Sequence, residues 1–503
     1  MSRHIKKILI LLFSASAFTF LFYEASLGLN LIIFECLMGI ISFMIFRQSS
    51  DRKQVWYLFL TLLTVSAVSV LISHTAFAIA VNIFLFLQFM TMQLWPDVLK
   101  IQLLSLIAPL NIIPSLTKGF LAITKIKKPA FLQKWPGLWL TAASLLVIWL
   151  FITMYSASNE NFYIIINNVT NFINDCFIRL FNFENADIVL YIFFGLIISS
   201  ALLIRTDLVA KMRVSVHPGI MLVRSRKPTL FSNSVSSFFK WYRSGIFLMF
   251  ILNVLILIFN ILDLRYVWFG FEWNGQLLRE FIHEGTWTLV FCVALSAVLA
   301  LLYFNGKIHF YSKNKHLKWL VKIWIAQNIF MIVSVFIRNV RYVAYYNLAS
   351  LRTGVFIFLI IAAFALIVLL IKINRGRNMF WMFRHVFLGT AVILTLTSVP
   401  DWNRVIARYN FNHKDSAYFH HDYMVMLPHC IDLLKENKKL FDYPYDSSLY
   451  HSYTDDAYEG QKVKNYTEII DIRANGIRHK LNEKDWREWN YADYRELKYL
   501  NNH

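Results

Sequence analysis

Residues Thr353–Ile371 read TGVFIFLIIAAFALIVLLI, without a single charge before Lys372 closes the run. A helix of that length rises about 28 Å at ~1.5 Å per residue, close to the ~30 Å of a bilayer's hydrocarbon core. It also satisfies every backbone N–H and C=O within itself, which lipid demands. This stretch therefore reads as a membrane span, and it sets the standard for the rest of the chain.

Ten more stretches approach that standard: Ile8–Tyr23, Leu27–Phe46, Val55–Leu71, Thr75–Met92, Leu138–Tyr155, Ile188–Ile204, Gly245–Leu262, Gly285–Phe304, Trp319–Ile337 and Phe380–Val399. The composition agrees, with 57% hydrophobic and only 16% charged residues, where soluble domains carry about 25% charge. The fold class expected is all-α: a polytopic transmembrane helix bundle of about eleven spans, residues 1–399, with interfacial amphipathic helices. A small, mainly helical soluble C-terminal tail follows at 400–503. Asn161–Phe183 reads as an amphipathic helix at the interface, and Gln276–Glu284 as another leading into the next span. Leu99–Ile123, broken by Pro109 and Pro114, reads as an interfacial or re-entrant segment or a hairpin. Ser14-Ala-Ser-Ala17 raises the option of a cleavable signal peptide, but the apolar run continues through Phe18–Phe22, so the first span is read as uncleaved.

The net charge of +20 would suggest a nucleic-acid partner if the basic residues formed one patch. They do not. Residues 399–503 hold 15 Lys+Arg against 17 Asp+Glu, so the excess belongs to short loops between spans, and no nucleic acid is expected. The longest basic loop, about residues 205–243, carries Arg205, Lys211, Arg213, Arg224, Arg226, Lys227, Lys240 and Arg243 against Asp207 alone. Loops rich in Lys and Arg stay in the cytoplasm, so the N-terminus is assigned inside and the tail outside. Arg338, Arg341 and Arg352 break the pattern on the outer side with no acid among them; they require acid partners on neighbouring outer segments or a span count off by one.

Sites of chemistry are few. The four cysteines, Cys36, Cys176, Cys292 and Cys430, fall at no redox or metal spacing. There is no phosphate-binding glycine loop, no nucleophile elbow and no dinucleotide fingerprint. His413, His420, His421 and His429, with Asp415 and Asp422, lack a metal-ligand spacing and read as solvated, so no metal and no cofactor are assigned. Glu35 lies near the middle of the second span, where a carboxylate is either a structural hydrogen-bonding group or an ion relay. The most specific feature is a convergence on the outer side. Arg279, Glu280 and Glu284 precede one span, Arg341, Tyr345 and Arg352 precede another, and Asp401, Arg404, Arg408 and Asn410 follow the last. The cluster is either an ion-paired lid that locks down the tail or an arginine-lined pocket for an anionic group.

The segments Glu280–Leu289 (EFIHEGTWTL), Tyr345–Arg352 (YYNLASLR), Pro400–Asn410 (PDWNRVIARYN) and Asp485–Asn490 (DWREWN), with Leu27–Phe34 (LGLNLIIF), carry a family resemblance. The chain resembles the bacterial multi-pass membrane proteins grouped as domain of unknown function 4173, related to 4153. The resemblance implies a bacterial inner membrane, with the tail in the periplasm, and brings no activity, cofactor or catalytic residue. Where that pattern has Gly-Leu-Thr, this sequence has Asn347-Leu348-Ala349. Three functions are compatible with these residues. The first is a non-enzymatic envelope protein that senses, scaffolds or binds, with the bilayer and an envelope protein or anionic lipid-linked ligand as partners. The second is a transporter using Glu35. The third is a membrane enzyme with Glu284 as acid or base.

Overall fold

The computed structural model describes residues 3–45, 53–94, 186–204, 235–269, 314–414, 419–443 and 465–502. Two of the expected spans, Leu138–Tyr155 and Gly285–Phe304, lie outside these residues. So do Leu99–Ile123, Asn161–Phe183, Gln276–Glu284 and Cys176. Every described element is helical: α1 (Arg3–Phe22), α2 (Leu29–Ile45), α3 (Lys53–Ser73), α4 (Ala76–Leu94), α5 (Ala186–Leu203), α6 (Val235–Asp263), α7 (Lys315–Tyr346), α8 (Ser350–Arg375), α9 (Met379–Ser398), α10 (Trp402–Asn412), α11 (His421–Val425), α12 (Ile431–Glu436), α13 (Tyr466–Asn482) and α14 (Tyr491–Asn502). Six of them, α3, α4 and α6–α9, are long and apolar enough to cross a membrane. α1, α2 and α5 hold shorter apolar stretches. The chain divides into two compact units.

The first unit contains α1, α2 and α5. In lipid, helices gain nothing from leaving water, so close backbone approach and dispersion hold them together. The small residues of α1 serve that purpose. A Cβ on Gly195 of α5 would stand 2.8 Å from the Ala15 carbonyl oxygen, so the two backbones meet where the sequence reads Ser-Ala-Ser-Ala. Phe18, Phe22 and Phe34 pack beside them, with ring centroids 4.8–5.6 Å apart. Asn30 organises the α1–α2 turn: its Oδ1 accepts from Gly28 N at 2.8 Å, and its Nδ2 donates to the carbonyls of Leu21 and Ser26 at 3.0 and 2.9 Å.

The second unit contains α3, α4 and α6–α14. A polar ladder joins α6 to α7: Gln327 Nε2 donates to Asn253 Oδ1 at 2.9 Å, Asn253 Nδ2 to the Leu320 carbonyl at 3.0 Å, and Asn260 Nδ2 to the Gln327 carbonyl at 3.2 Å. The α8–α9 pair closes on glycine, since a Cβ on Gly389 would collide with the Phe364 ring. Ser69 Oγ donates to the Ser398 carbonyl, which puts the C-terminal ends of α3 and α9 side by side. Beyond α9, helices α10–α14 build a separate apolar core around Ile406, Met424, Ile431, Leu434, Phe441 and Ile470. Each such side chain gains about 1.5–3 kcal/mol from leaving water.

Helix α7 runs past the Ile337 boundary set by hydropathy and includes Arg338 and Arg341. Partners explain the difference. Arg338 is buried against Asp263 at the end of α6, and Arg341 Nη2 donates to the Trp268 carbonyl at 2.8 Å. Charges satisfied in this way no longer oblige the helix to stop.

Candidate functional site

The turn between α7 and α8, residues 347–349, is tight and conformationally costly. Asn347 sits at φ 64°, ψ 175°, a region that glycine occupies freely and other residues enter at a cost of order 1–3 kcal/mol. Ala349 is the N-cap of α8, with the extended backbone of a cap but no side-chain oxygen to close the first turn. The Gly-Leu-Thr of the resembled pattern thus makes physical sense. Glycine suits the first position and threonine caps at the third, where this chain has Asn and Ala.

Three side chains hold the turn. Arg352 Nη1 donates to the Tyr346 carbonyl at 2.6 Å and to the Asn347 carbonyl, and its guanidinium lies 4.3 Å from the Tyr342 ring centroid. It thus satisfies carbonyls that the end of α7 leaves open. Asn410, at the end of α10, accepts from Leu348 N at 2.8 Å and donates to the Leu348 carbonyl at 3.0 Å. Tyr423 Oη accepts from Ser350 N at 2.9 Å. Between them lies a cavity of about 230 Å³ lined by Tyr346, Asn347, Arg352, Asn410, His420 and Tyr423, among others. It is smaller than the ~300–1,000 Å³ pockets that enclose drug-sized ligands, so it has room only for a small group.

A seam of ion pairs lies at the opposite end of α10. Arg404 binds both oxygens of Asp432, at 2.8 and 2.7 Å. Asp401 accepts at 3.4 Å from Arg404 N, capping α10, and takes Arg495 Nη2 at 3.2 Å. Such charge-assisted hydrogen bonds are about twice as strong as neutral ones.

At the far end of the seam is a histidine with two carboxylates. His429, at φ 56°, directs Nδ1 to Asp493 Oδ1 at 3.3 Å and Glu496 Oε2 at 3.6 Å, with an aligned hydrogen bond to neither. The other oxygen of each acid is already committed. Asp493 Oδ2 accepts from Lys484 Nζ and Asn490 Nδ2, both at 2.6 Å, and Glu496 Oε1 accepts from Ile431 N at 3.0 Å. Burial opposes a charge on His429, but the two carboxylates outweigh it and push the imidazole up to about 9. Burial likewise works against the Asp493 carboxylate, yet His429 and Lys484 hold it well below the usual range. His74, in the α3–α4 turn, packs edge-on against the His429 ring at 5.7 Å, and its buried Nδ1 has no hydrogen-bond partner.

The structure therefore places Arg352 and Asn410 on the α7–α8 turn, with Tyr345 in the last turn of α7, whereas Asp401 and Arg404 lie at the opposite end of α10 and pair with Arg495 and Asp432. Tyr345 meets Tyr346 edge-on, with ring centroids 4.8 Å apart. Arg408 is exposed on α10. Arg279, Glu280 and Glu284 lie outside the described residues, and Glu35 is buried on a face of α2 in the first unit. Sequence reading missed Asp263, Asp432, Arg495, Asp493, Glu496 and His74. The one local signal was Asn490-x-x-Asp493, the spacing of a helix start, and there Asn490 Oδ1 accepts from Asp493 N at 2.9 Å.

An all-helical chain with six spans by length and composition, a helical cluster with its own core, and no strand among the described residues defines a multi-pass membrane protein. The chain belongs to the family described as Domain of unknown function (DUF4153), whose model matches residues 8–427. No curated protein and no solved structure matches it.

Proposed function

We propose that the chain is a non-enzymatic protein of a bacterial inner membrane, in which residues 400–503 form a periplasmic domain fastened to the bundle and serve as a scaffold, sensor or binding surface. Its N-terminus is cytoplasmic on the basic-loop argument, and its partners are the bilayer and an envelope protein or anionic lipid-linked ligand. Within its family, the DWREWN motif at Asp485–Asn490 supports kinship with the 4173 group.

The observation that carries this reading is how the arginines of the outer cluster are used. Arg341 and Arg352 bind backbone carbonyls, and Arg404 binds Asp432. Side chains engaged in holding helix ends and a seam support a lid more than a clamp on reacting phosphates or carboxylates. The cavity beside Arg352 leaves room for a small ligand group.

Complementation of a strain lacking the protein separates the alternatives. A scaffold tolerates Glu284→Gln and Glu35→Gln and fails with Arg404→Ala or Asp432→Ala. Loss of function in Glu284→Gln with unchanged expression and melting would establish the enzyme reading instead. Substrate or proton flux in liposomes that vanishes in Glu35→Gln would establish a transporter.

A further inference from the structure

We propose that His429 Nδ1, Asp493 Oδ1 and Glu496 Oε2 are the ligands of a divalent transition-metal ion of the zinc class, with water in the fourth position. The three atoms lie within 4.8 Å of one another. Zinc bonds of about 2.0–2.1 Å to nitrogen and oxygen make the edge of a tetrahedron about 3.3 Å long; the imidazole nitrogen stands 3.3 and 3.6 Å from the two oxygens, and an ion would draw the widest pair, within 4.8 Å, closer together. A hydrogen bond would instead aim Nδ1 along the line to one oxygen, and neither contact is so aligned.

The surroundings fit an ion better than a proton alone. Metal-binding carboxylates are usually oriented by hydrogen bonds to the oxygen that does not touch the metal. Lys484 and Asn490 supply these for Asp493, and the Ile431 N–H supplies one for Glu496. Two carboxylates balance a dication, and the nearby ammonium keeps the whole site from excess negative charge. One imidazole nitrogen with only two protein oxygens disfavours calcium and magnesium, which take six or more oxygen ligands, and suits zinc, cobalt or iron(II). Binding displaces the imidazole proton to solvent. His74 closes the side facing the α3–α4 turn, where its ring meets His429. The inference does not depend on the scaffold reading, since it requires only these three side chains.

The test uses full-length protein without a histidine tag, purified in detergent, stripped with chelator and titrated with Zn²⁺ alone. One equivalent is expected to survive desalting. Glu496→Gln, which keeps an acceptor for Ile431 N, should weaken binding by more than the roughly 10–100-fold that loss of an outer partner costs. His413→Ala and His479→Ala should leave binding unchanged. Retention that is equal in wild type, Glu496→Gln and Asp493→Asn would overturn the site, as would no retained zinc in the wild type. Co²⁺ titration of the wild type decides the matter independently of how the variants fold. Intense visible bands of low-coordinate cobalt are expected, and a weak octahedral spectrum would refute the assignment.

Discussion

Replacing Asn410 with alanine is the sharpest probe of the α7–α8 turn. The side chain is 2% exposed and meets both backbone groups of Leu348, accepting at 2.8 Å and donating at 3.0 Å, while Nδ2 also touches Met424 Sδ at 3.3 Å. Truncation leaves a buried N–H and a buried C=O unmet, at about 1–3 kcal/mol each. Water entering the neighbouring cavity recovers part of that, so the expected net loss is ~2–4 kcal/mol, and ~1.4 kcal/mol corresponds to a tenfold change in population. Cys430 is the reporter. It is fully buried in the core that Met424 and Ile406 share, and burial pushes its thiol up to about 12. With Cys36, Cys176 and Cys292 replaced by alanine, a maleimide reaches Cys430 only when the core opens, so its rate follows the open population. Asn410→Ala should accelerate labelling by roughly 30- to 1,000-fold. A rate within about threefold of wild type, well short of one tenfold step, would refute the claim that Asn410 holds the turn to the helical core.

Three further outcomes follow from the geometry. Ala349→Thr supplies the missing N-cap of α8 and should stabilise by about 0.5–2 kcal/mol, read as a higher melting temperature in detergent; no gain would refute the cap assignment. His421, stacked on Tyr443 and Tyr466 with ring centroids 5.4 Å away in each case, is held below its ordinary value by burial, which the Leu440 carbonyl and Asp422 only partly offset. Its contribution is therefore complete above the unfolded value of about 6.5 and is lost as pH falls through that region and on through the folded value. Between pH 7 and 5 the melting temperature of wild type should fall more steeply than that of His421→Gln, and parallel profiles would sink the idea. Gly195→Val places branched carbon against the Ala15 backbone and should abolish a disulfide engineered between α1 and α5 that forms readily in the parent; equal cross-linking would show that the helices do not meet there.

Sequence alone made the six described spans legible because lipid imposes one rule on each of them. Nineteen uncharged residues from Thr353 leave little choice, and the helix found there, Ser350–Arg375, differs only at its ends. The outer cluster was legible only as a gathering of residue types. That Arg404 meets Asp432, Arg495 meets Asp401, and His429 faces Asp493 depends on how separate helices cross, and no period in the chain encodes those pairings. The acid partner required of Arg338 is present, and only the end of its span differs from the hydropathy boundary. Hydropathy ends a span at the first arginine, whereas Asp263 on a neighbouring helix lets α7 continue. Asn347 shows the opposite case, since its departure from glycine was plain in the sequence and its meaning waited for a backbone angle.

The contact between α14 and α3 carries a consequence for biosynthesis. A ribosome finishes the α3–α4 hairpin hundreds of codons before it reaches Asp493 and Glu496. Until then His429 has neither carboxylate to face, and the His74 turn has no cover. Assembly of this end of the protein is therefore post-insertional: the bundle helices enter the membrane in order, and a helix made far later returns to close one made early.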